Sequence, residues 1–370
     1  MKQANPSIYD LSLEELTSAI ISWGEPPFRA TQIWEGLYRQ LWNSPAEFSH
    51  LPKYLRQKLD LAYGHPFIDI EGSDTFSNLK PMKRLASADG QTIKTLFSLY
   101  DGRSIEAVLM SYSRRRTLCI STQAGCAMGC VFCATGQMGF NRQLTSGEIV
   151  EQVLYHARVL AEAKEQVTNV VVMGMGEPFH NYDATMDAIS RINSSQGFNL
   201  GARRFTISTV GLVPGIQRFT QEHSQINLAI SLHAADDTLR SQLLPINKKY
   251  PLDQLLNACL EYVHVTHRRI SFEWALIQGV NDTTEQAIML GKRLQAFRID
   301  GSNLCHVNVI PLNPTQKYNR HASTHERAVS FQRILEKAGI PCTIRLRRGI
   351  EIQAGCGQLA GEIQEDYLHK

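Results

Sequence analysis

The sequence predicts an α/β fold: a parallel sheet, open or closed into a full or partial barrel, preceded by a helical region. Three observations carry this. After Thr117 the chain alternates short apolar runs with amphipathic helical patterns. Residues 1 to about 95 read differently and open on helical spacing. Residues 84–110 show period-two alternation interrupted by Gly turns.

In chain order, residues 12–22 carry Leu13, Leu16, Ile20 and Ile21 on one helical face, and Ser12 with Glu15 fits a capping box. The Gly24-Glu25-Pro26-Pro27 break separates them from a second amphipathic helix at 30–42, marked by Ile33, Trp34, Leu37, Tyr38 and Leu41. Leu51, Leu55 and Leu59 indicate a third. Residues 84–110 form two or three strands joined by tight turns at Asp89-Gly90 and Asp101-Gly102. Strand-like runs follow at 118–122, 169–175, 205–210, 226–232, 270–277, 306–312 and 342–346. Helical patterns separate them, most clearly at 146–163, where Ile149, Val150, Val153, Leu154, Ala157 and Leu160 share a face behind a Thr145/Glu148 capping box. Others lie near 183–194, 251–264, 282–297 and 324–338. In both open and closed βα sheets the ligand site lies beyond the carboxyl ends of the strands.

Charged residues at 20% and hydrophobic residues at 43% fit a soluble globular protein, and 370 residues allow two or three domains and a large core. The net charge of +3 permits a nucleic-acid partner without requiring one. The start, MKQANPSIYDLSLEEL, lacks the apolar stretch of a secretory signal, and no run reaches the roughly 18 apolar residues of a membrane span. Eight cysteines, three of them clustered, argue for a reducing compartment and against a disulfide scaffold. The expectation is a cytoplasmic protein with no membrane partner.

The clustered cysteines are Cys126, Cys130 and Cys133, spaced C-x3-C-x2-C in GCAMGCVFCATG with no fourth partner nearby. Three thiolates in such a loop can hold three irons of a cubane cluster and leave one iron open to another ligand. A closed zinc site wants four ligands, usually in two separated pairs, and a ferredoxin-type cluster brings a fourth cysteine. Gly174-Met175-Gly176-Glu177-Pro178 ends an apolar run, but Phe179 stands where a dinucleotide fingerprint needs its third glycine. A glycine-rich strand end still lets a ligand approach the backbone, and the Glu177 carboxylate could accept from a ligand amine or ribose.

Ser208, Thr209, Ser231, Leu232, His233 and Asn313 also fall at strand ends, each readable as a ligand contact or as a satisfied cap. Cys259, Cys305 and Cys342 lie in apolar patterns and fill core positions, and Cys119, inside TLCIST, reads the same way by itself. Cys356, between Gly355 and Gly357 in AGCGQLAGE, reads instead as a thiol on a flexible segment available for covalent chemistry. Glu106, in SIEAVLM, reads as a surface strand residue. Basic clusters at 114–116, 203–204, 248–249, 268–269 and 345–348 would suit a phosphate-rich substrate if they surround one barrel.

Together GCAMGCVFCATG, GMGEPFHNYD, STVGLVP, SLHAADDTLR, LLPINKKYP, IPLNP and AGCGQL, in this order and spacing, resemble the RlmN/Cfr family of radical S-adenosylmethionine (SAM) RNA adenine methyltransferases. The likeness runs from about residue 8, through YDLSLEEL and GEPPFRATQIW, to Leu359. It implies a partial (βα)6 TIM-like radical SAM barrel with an N-terminal helical accessory domain and a short β linker. The expected divisions are an accessory domain and linker at 1–95 as an RNA-binding candidate, a core at 96–359 and a tail at 360–370.

The resemblance also implies chemistry. Cys126, Cys130 and Cys133 would hold a 4Fe–4S cluster, with SAM on the open iron and contacted by Gly176, Glu177, Ser208, Ser231, Leu232, His233 and Asn313. One SAM would methylate Cys356. A second, reductively cleaved, would yield a 5′-deoxyadenosyl radical that takes hydrogen from that methyl group. The new radical adds to an electron-poor adenine carbon and gives a covalent protein–RNA adduct. Glu106 as proton acceptor and Cys119 as resolving thiol, through a transient disulfide with Cys356, would release the methylated RNA.

The implied partners are 23S rRNA at the peptidyl transferase centre, tRNA anticodon stem-loops and an electron donor such as flavodoxin or ferredoxin, acting on a monomer. The long N-terminal segment and CATGQMGFNRQL favour the RlmN side, adenine C2, over the Cfr side, adenine C8. The reading from another class is a noncatalytic RNA-binding ribosome-assembly protein with a structural cluster. One departure from the pattern is Gly355, where many relatives carry alanine, expected only to loosen the loop.

Overall fold

The computed structural model describes residues 7–64 and 75–361. Ten strands form its main sheet. Lys80–Ala86, Thr92–Ser98 and Ser104–Ser111 pair antiparallel, with Gly90 (φ 66°) and Gly102 (φ 80°) at the two turns. Ser104–Ser111 then pairs antiparallel with Arg116–Cys119. From there Asn169–Val172, Phe205–Thr209, Asn227–Ser231, Ile270–Leu276, Cys305–Pro311 and Cys342–Ile344 add in parallel, each beside its predecessor. Among the described residues no ladder joins the last strand to the first, so the barrel is partial.

The helices cover the outside of the sheet as the apolar stripes require. Ser146–Glu162 starts at the capping box expected from the sequence: Thr145 accepts from the Glu148 N–H, and Glu148 accepts from the Thr145 N–H. Tyr182–Asn193, Leu252–Thr266, Thr284–Leu294 and His325–Lys337 fall where periodicity puts them. Val213–Gln221 and Asp237–Leu243 are helices that periodicity does not reveal. The first begins Val213-Pro214-Gly215, a pair that reads as a turn although Pro here occupies the first helical turn, where its missing N–H costs nothing. At the N-terminus, Leu13–Ser22 has its Ser12/Glu15 box, and Phe28–Tyr38 and Lys53–Tyr63 follow. The second of these stops short of residue 42 because Leu41 turns left-handed, at φ 62°.

One buried carboxylate ties the N-terminal helices and the linker to the barrel. Glu151, on Ser146–Glu162, accepts from Ser77 Oγ (2.5 Å), the N–H groups of Asn78 (2.8 Å) and Leu79 (3.3 Å), and Ser7 Oγ (3.3 Å). Burial pushes its pKa up to about 8, and the donors, Ser77 and Asn78 foremost, work against that shift. Replacing it strands several buried donors at once. Glu151→Ala is expected to cost about 2–4 kcal/mol of stability. Urea unfolding should show a lower midpoint at unchanged slope.

Candidate active site

The concave face of the sheet encloses a cavity of about 1250 Å³. It extends from the loops beyond the carboxyl ends of the strands to the residues that precede their amino ends. Cys119, Cys126, Cys130, Cys133, Gly176, Glu177, Ser208, Ser231, His233, Asn313 and Cys356 all line it. Leu232 and Glu106 do not: Leu232 packs in the core, and Glu106 is buried alongside.

The cysteine loop is closed at its base by a ribbon, Gln123–Gly125 against Phe140–Gln143. Gly125 (φ 76°) is needed there, because a Cβ would lie 2.0 Å from the Gly139 carbonyl oxygen. The Cys126 N–H donates to that same oxygen (2.8 Å), and the Val131 N–H to Leu243 (3.1 Å). Burial raises all three thiols, Cys126 to about 12 and Cys130 well above its ordinary value, with mutual repulsion adding at Cys126 and Cys130. They are therefore neutral without a ligand and give up protons on metallation. Among the described residues no three His, Cys, Asp or Glu side chains converge tightly enough for a single metal ion. A cubane takes each thiolate at a separate iron, so an all-sulfur set around an open space fits a cluster.

Beside the loop, Gly174 and Gly176 are explained first by packing. A Cβ on either would lie 2.6 Å from the neighbouring strand-end segment, at Ile120 O or Gln123, and Gly176 has φ 103°. Glu177 accepts from the Phe179 N–H (3.0 Å) and the Val210 N–H (2.8 Å), and burial raises its pKa to about 7. The hydroxyls of Ser208 and Ser231 lie 3.4 Å apart on adjacent strands. His233, left-handed at φ 61°, accepts from the Ala275 N–H at Nδ1 (2.8 Å), which puts its proton on Nε2. Burial lowers its pKa to about 3, so it is a neutral donor. Asn313 donates to the Cys356 carbonyl (3.1 Å), while its Oδ1 is buried without a partner. An orphaned acceptor in a polar pocket fits the amine and hydroxyl donors of SAM.

The segment bearing Cys356 is not the flexible stretch its glycines suggest. Gly357 O accepts from the Ala134 N–H (2.7 Å) and Leu359 O from Thr135 Oγ1 (2.6 Å), which ties it to the cysteine loop. The Ala360 N–H donates to Glu106 (3.0 Å), and Gln358 Nε2 to Pro314 O (3.2 Å). Cys356 itself stays exposed to the cavity. Gly355 does not loosen this loop either: a Cβ there would come within 2.5 Å of Asn313 Nδ2, so glycine permits a close approach.

The surface reading of Glu106 is overturned. It is 2% exposed and paired with Lys94 Nζ at 2.9 Å, on a strand covered on both faces. By register it shares a face with Val108, the partner of Cys119, and both of those line the cavity. Burial pushes Cys119 up to about 12, with Cys356 repulsion adding, and Cys356 up to about 11. Cys119 thus feels the Cys356 sulfur, and both are free thiols. Cys259, Cys305 and Cys342 are buried core side chains, as expected.

Two family models match the chain: the ribosomal RNA large subunit methyltransferase N-terminal domain at 7–63, and the radical SAM superfamily at 120–290. A probable dual-specificity RNA methyltransferase RlmN of Chloroflexus aurantiacus is 48% identical over 96% of this chain and 92% of that protein. The dual-specificity RNA methyltransferase RlmN 1 of Myxococcus xanthus is 45% identical over 97% and 95%. The chain belongs to the RlmN family. A solved radical SAM methyltransferase from Sphaerobacter thermophilus superimposes with a TM-score of 0.89 at 47% identity, covering 96% of this chain and 99% of that one. As an RlmN-family member the protein is a radical SAM RNA methyltransferase, and its cofactors are a 4Fe–4S cluster and SAM.

Three residues of the site escape a reading of the sequence. Arg240, in SLHAADDTLR, is fully buried and donates to the carbonyls of Val210 (2.7 Å) and Leu232 (3.1 Å) and to Asn247 (2.9 Å). Burial lowers its pKa to about 10, and it feels the charge of Cys130. Asn308 and Glu273, bonded at 2.8 Å, line the cavity from adjacent strands, and Asn308 Oδ1 is unpartnered. Polar residues inside runs such as SFEW and HVNVIP, at alternate positions of otherwise apolar strands, are the available signal. In this RlmN-family barrel Arg240→Leu is expected to cost about 3–5 kcal/mol, by orphaning buried acceptors and removing a cation beside a thiolate ligand. Thermal unfolding and iron content after anaerobic reconstitution should both fall.

Proposed function

We propose that the protein methylates C2 of adenine in 23S rRNA at the peptidyl transferase centre, and in tRNA anticodon stem-loops, by way of a methylated Cys356 and a covalent RNA adduct. The observation that carries this reading is the convergence of Cys119 and Cys356 on the cavity lined by Cys126, Cys130 and Cys133. A binding module with a structural cluster has no use for two further thiols there.

Cys126, Cys130 and Cys133 would hold the cluster. Gly176, Glu177, Ser208, Ser231, Leu232, His233 and Asn313 would hold SAM, Leu232 through its backbone, since its side chain is buried in the core. When bound, the cluster and two SAM molecules per turnover supply one-electron reduction, hydrogen abstraction and a methyl group. Cys356 carries the carbon. Its protonated thiol, raised by burial, needs to lose a proton before it accepts a methyl group. Glu106 would remove the C2 proton from the adduct once its contact with Lys94 or Ala360 opens, and the adduct's odd electron would return to the cluster held by Cys126, Cys130 and Cys133. The Cys119 thiolate would then attack the Cys356 sulfur, forming S–S and breaking the bond to carbon, whose electron pair takes up a proton to complete the methyl group. An external reductant would restore the thiols, and an electron donor such as flavodoxin or ferredoxin would serve the enzyme as a partner. The enzyme would act as a cytoplasmic monomer, with the N-terminal helices contributing to RNA binding. The relatives' names, dual-specificity RlmN, favour C2 over the C8 of Cfr-type enzymes.

Cys356→Ala is expected to abolish turnover while cluster content and RNA binding persist. Cys119→Ala should accumulate a covalent protein–RNA adduct, visible as an RNase-trimmed mass increase. The deciding measurement is an anaerobic reaction with SAM, reductant and unmodified rRNA and tRNA fragments, followed by nucleoside mass spectrometry. 2-Methyladenosine supports the proposal, 8-methyladenosine alone moves the chain to Cfr-type chemistry, and full methyl transfer by either variant excludes the thiol route.

A further inference from the structure

The two ends of the cavity differ in kind. The carboxyl end of the strands is crossed by the cysteine loop and the Cys356 segment, which are hydrogen-bonded to each other. The amino end is rimmed by cations. Arg115 precedes Arg116–Cys119, Arg203 and Arg204 precede Phe205–Thr209, and Arg268 and Arg269 precede Ile270–Leu276; all line the cavity. Arg348 joins them, bonded to Ser111 O (3.1 Å) at the same level, and both it and Arg115 lie over one ring, Tyr112, with guanidinium–centroid distances of 4.4 and 4.9 Å.

None of these six arginines has a carboxylate within ion-pair distance among the described residues. Elsewhere such pairs are common, as in Arg116–Glu165, Arg142–Glu148 and Arg293–Asp253. Where rim side chains do hydrogen-bond, their acceptors are neutral: Arg203 and Arg268 share Gln225 Oε1, and Arg268 also meets Asn227 Oδ1. The carboxylates lining the cavity, Glu177 and Glu273, lie further along it, beyond and within the strands. A ring of like charges without internal counterions is destabilising by itself and is neutralised by a polyanion.

We infer that RNA docks on the amino-terminal face of the barrel, with its phosphates on this arginine rim and its target base extruded into the cavity toward Cys356. The inference rests on the RNA methyltransferase reading above and adds to it the side from which RNA enters. It runs against the usual expectation that a βα-barrel receives its substrate through the loops at the carboxyl ends. Extrusion is required in any case, because a stacked base cannot present a ring carbon to a thiol inside a closed cavity. The planar groups of Arg115, Tyr112 and Arg348 add a stacking surface suited to an unpaired flanking base.

The test uses full-length, cluster-loaded protein and an unmodified rRNA hairpin fragment, with binding followed by fluorescence anisotropy over a range of NaCl concentrations. R203Q/R204Q and R268Q/R269Q, two pairs on different strands, are compared with K292Q/K337Q, which removes the same charge from the outer helices. Each rim pair is expected to bind at least about tenfold more weakly, with a log–log salt slope shallower by about 0.7 for each phosphate that is no longer neutralised. R268K/R269K should recover most of the slope, and the outer pair should stay within about twofold of the parent. SAM affinity and cluster absorbance, unchanged in the rim variants, establish that the barrel is intact. Parental affinity and slope in both rim pairs would overturn the inference while leaving the methyltransferase reading in place. Failure of the unaltered protein to bind the RNA at all would overturn both.

Discussion

A buried guanidinium with no ion-pair partner among the described residues is the constraint on which the mouth of this barrel depends. Arg240 satisfies its N–H groups on carbonyls of two adjacent strand ends, Val210 and Leu232, and on Asn247. Hydrogen bonding of this kind fixes position but cancels no charge. Its pKa stays near 10 in spite of burial, so the charge persists at neutral pH. The charge becomes useful beside Cys130, whose thiol is otherwise pushed far up by burial and by its neighbouring thiols. A cation held there lowers the cost of the thiolate form that a metal requires.

The same logic of paired burdens runs through the cavity. Cys119 is raised by burial and by Cys356, and Cys356 by burial and by Glu273 and Cys133, so neither is a ready nucleophile at rest. Their reactivity is thereby restrained until substrate and cofactors change the local field. His233, fixed as a neutral donor, and Asn313, with its acceptor unspent, complement that restraint: the pocket offers hydrogen bonds without adding charge.

Local features are readable in the sequence, and long-range ones are not. The Thr145/Glu148 and Ser12/Glu15 boxes need only four residues each, and the alternation of strands and helices needs only periodicity. The cysteine spacing and the strand-end polar residues locate the pocket for the same reason. Glu106 misleads because its partners are distant in sequence: Lys94 on the neighbouring strand, and the Ala360 N–H 254 positions away. Cys356 misleads in the opposite sense, since glycines that suggest mobility instead allow Gly355 to approach Asn313 and Gly357 to meet Ala134. Arg240 is legible only as the last residue of SLHAADDTLR, and only the fold reveals that the strand ends close around it.

The hydrogen bond between Thr135 and Leu359 spans 224 positions, across every βα unit of the barrel. A bond with that separation closes a very long loop, an entropic cost that the contacts of the intervening strands have to offset. Neither this bond nor its neighbour, from Ala134 to Gly357, involves a strand of the sheet. The Cys356 segment can therefore lift from the thiol loop without breaking a single ladder, and the loop's thiols are guarded by a clasp that opens independently of the barrel.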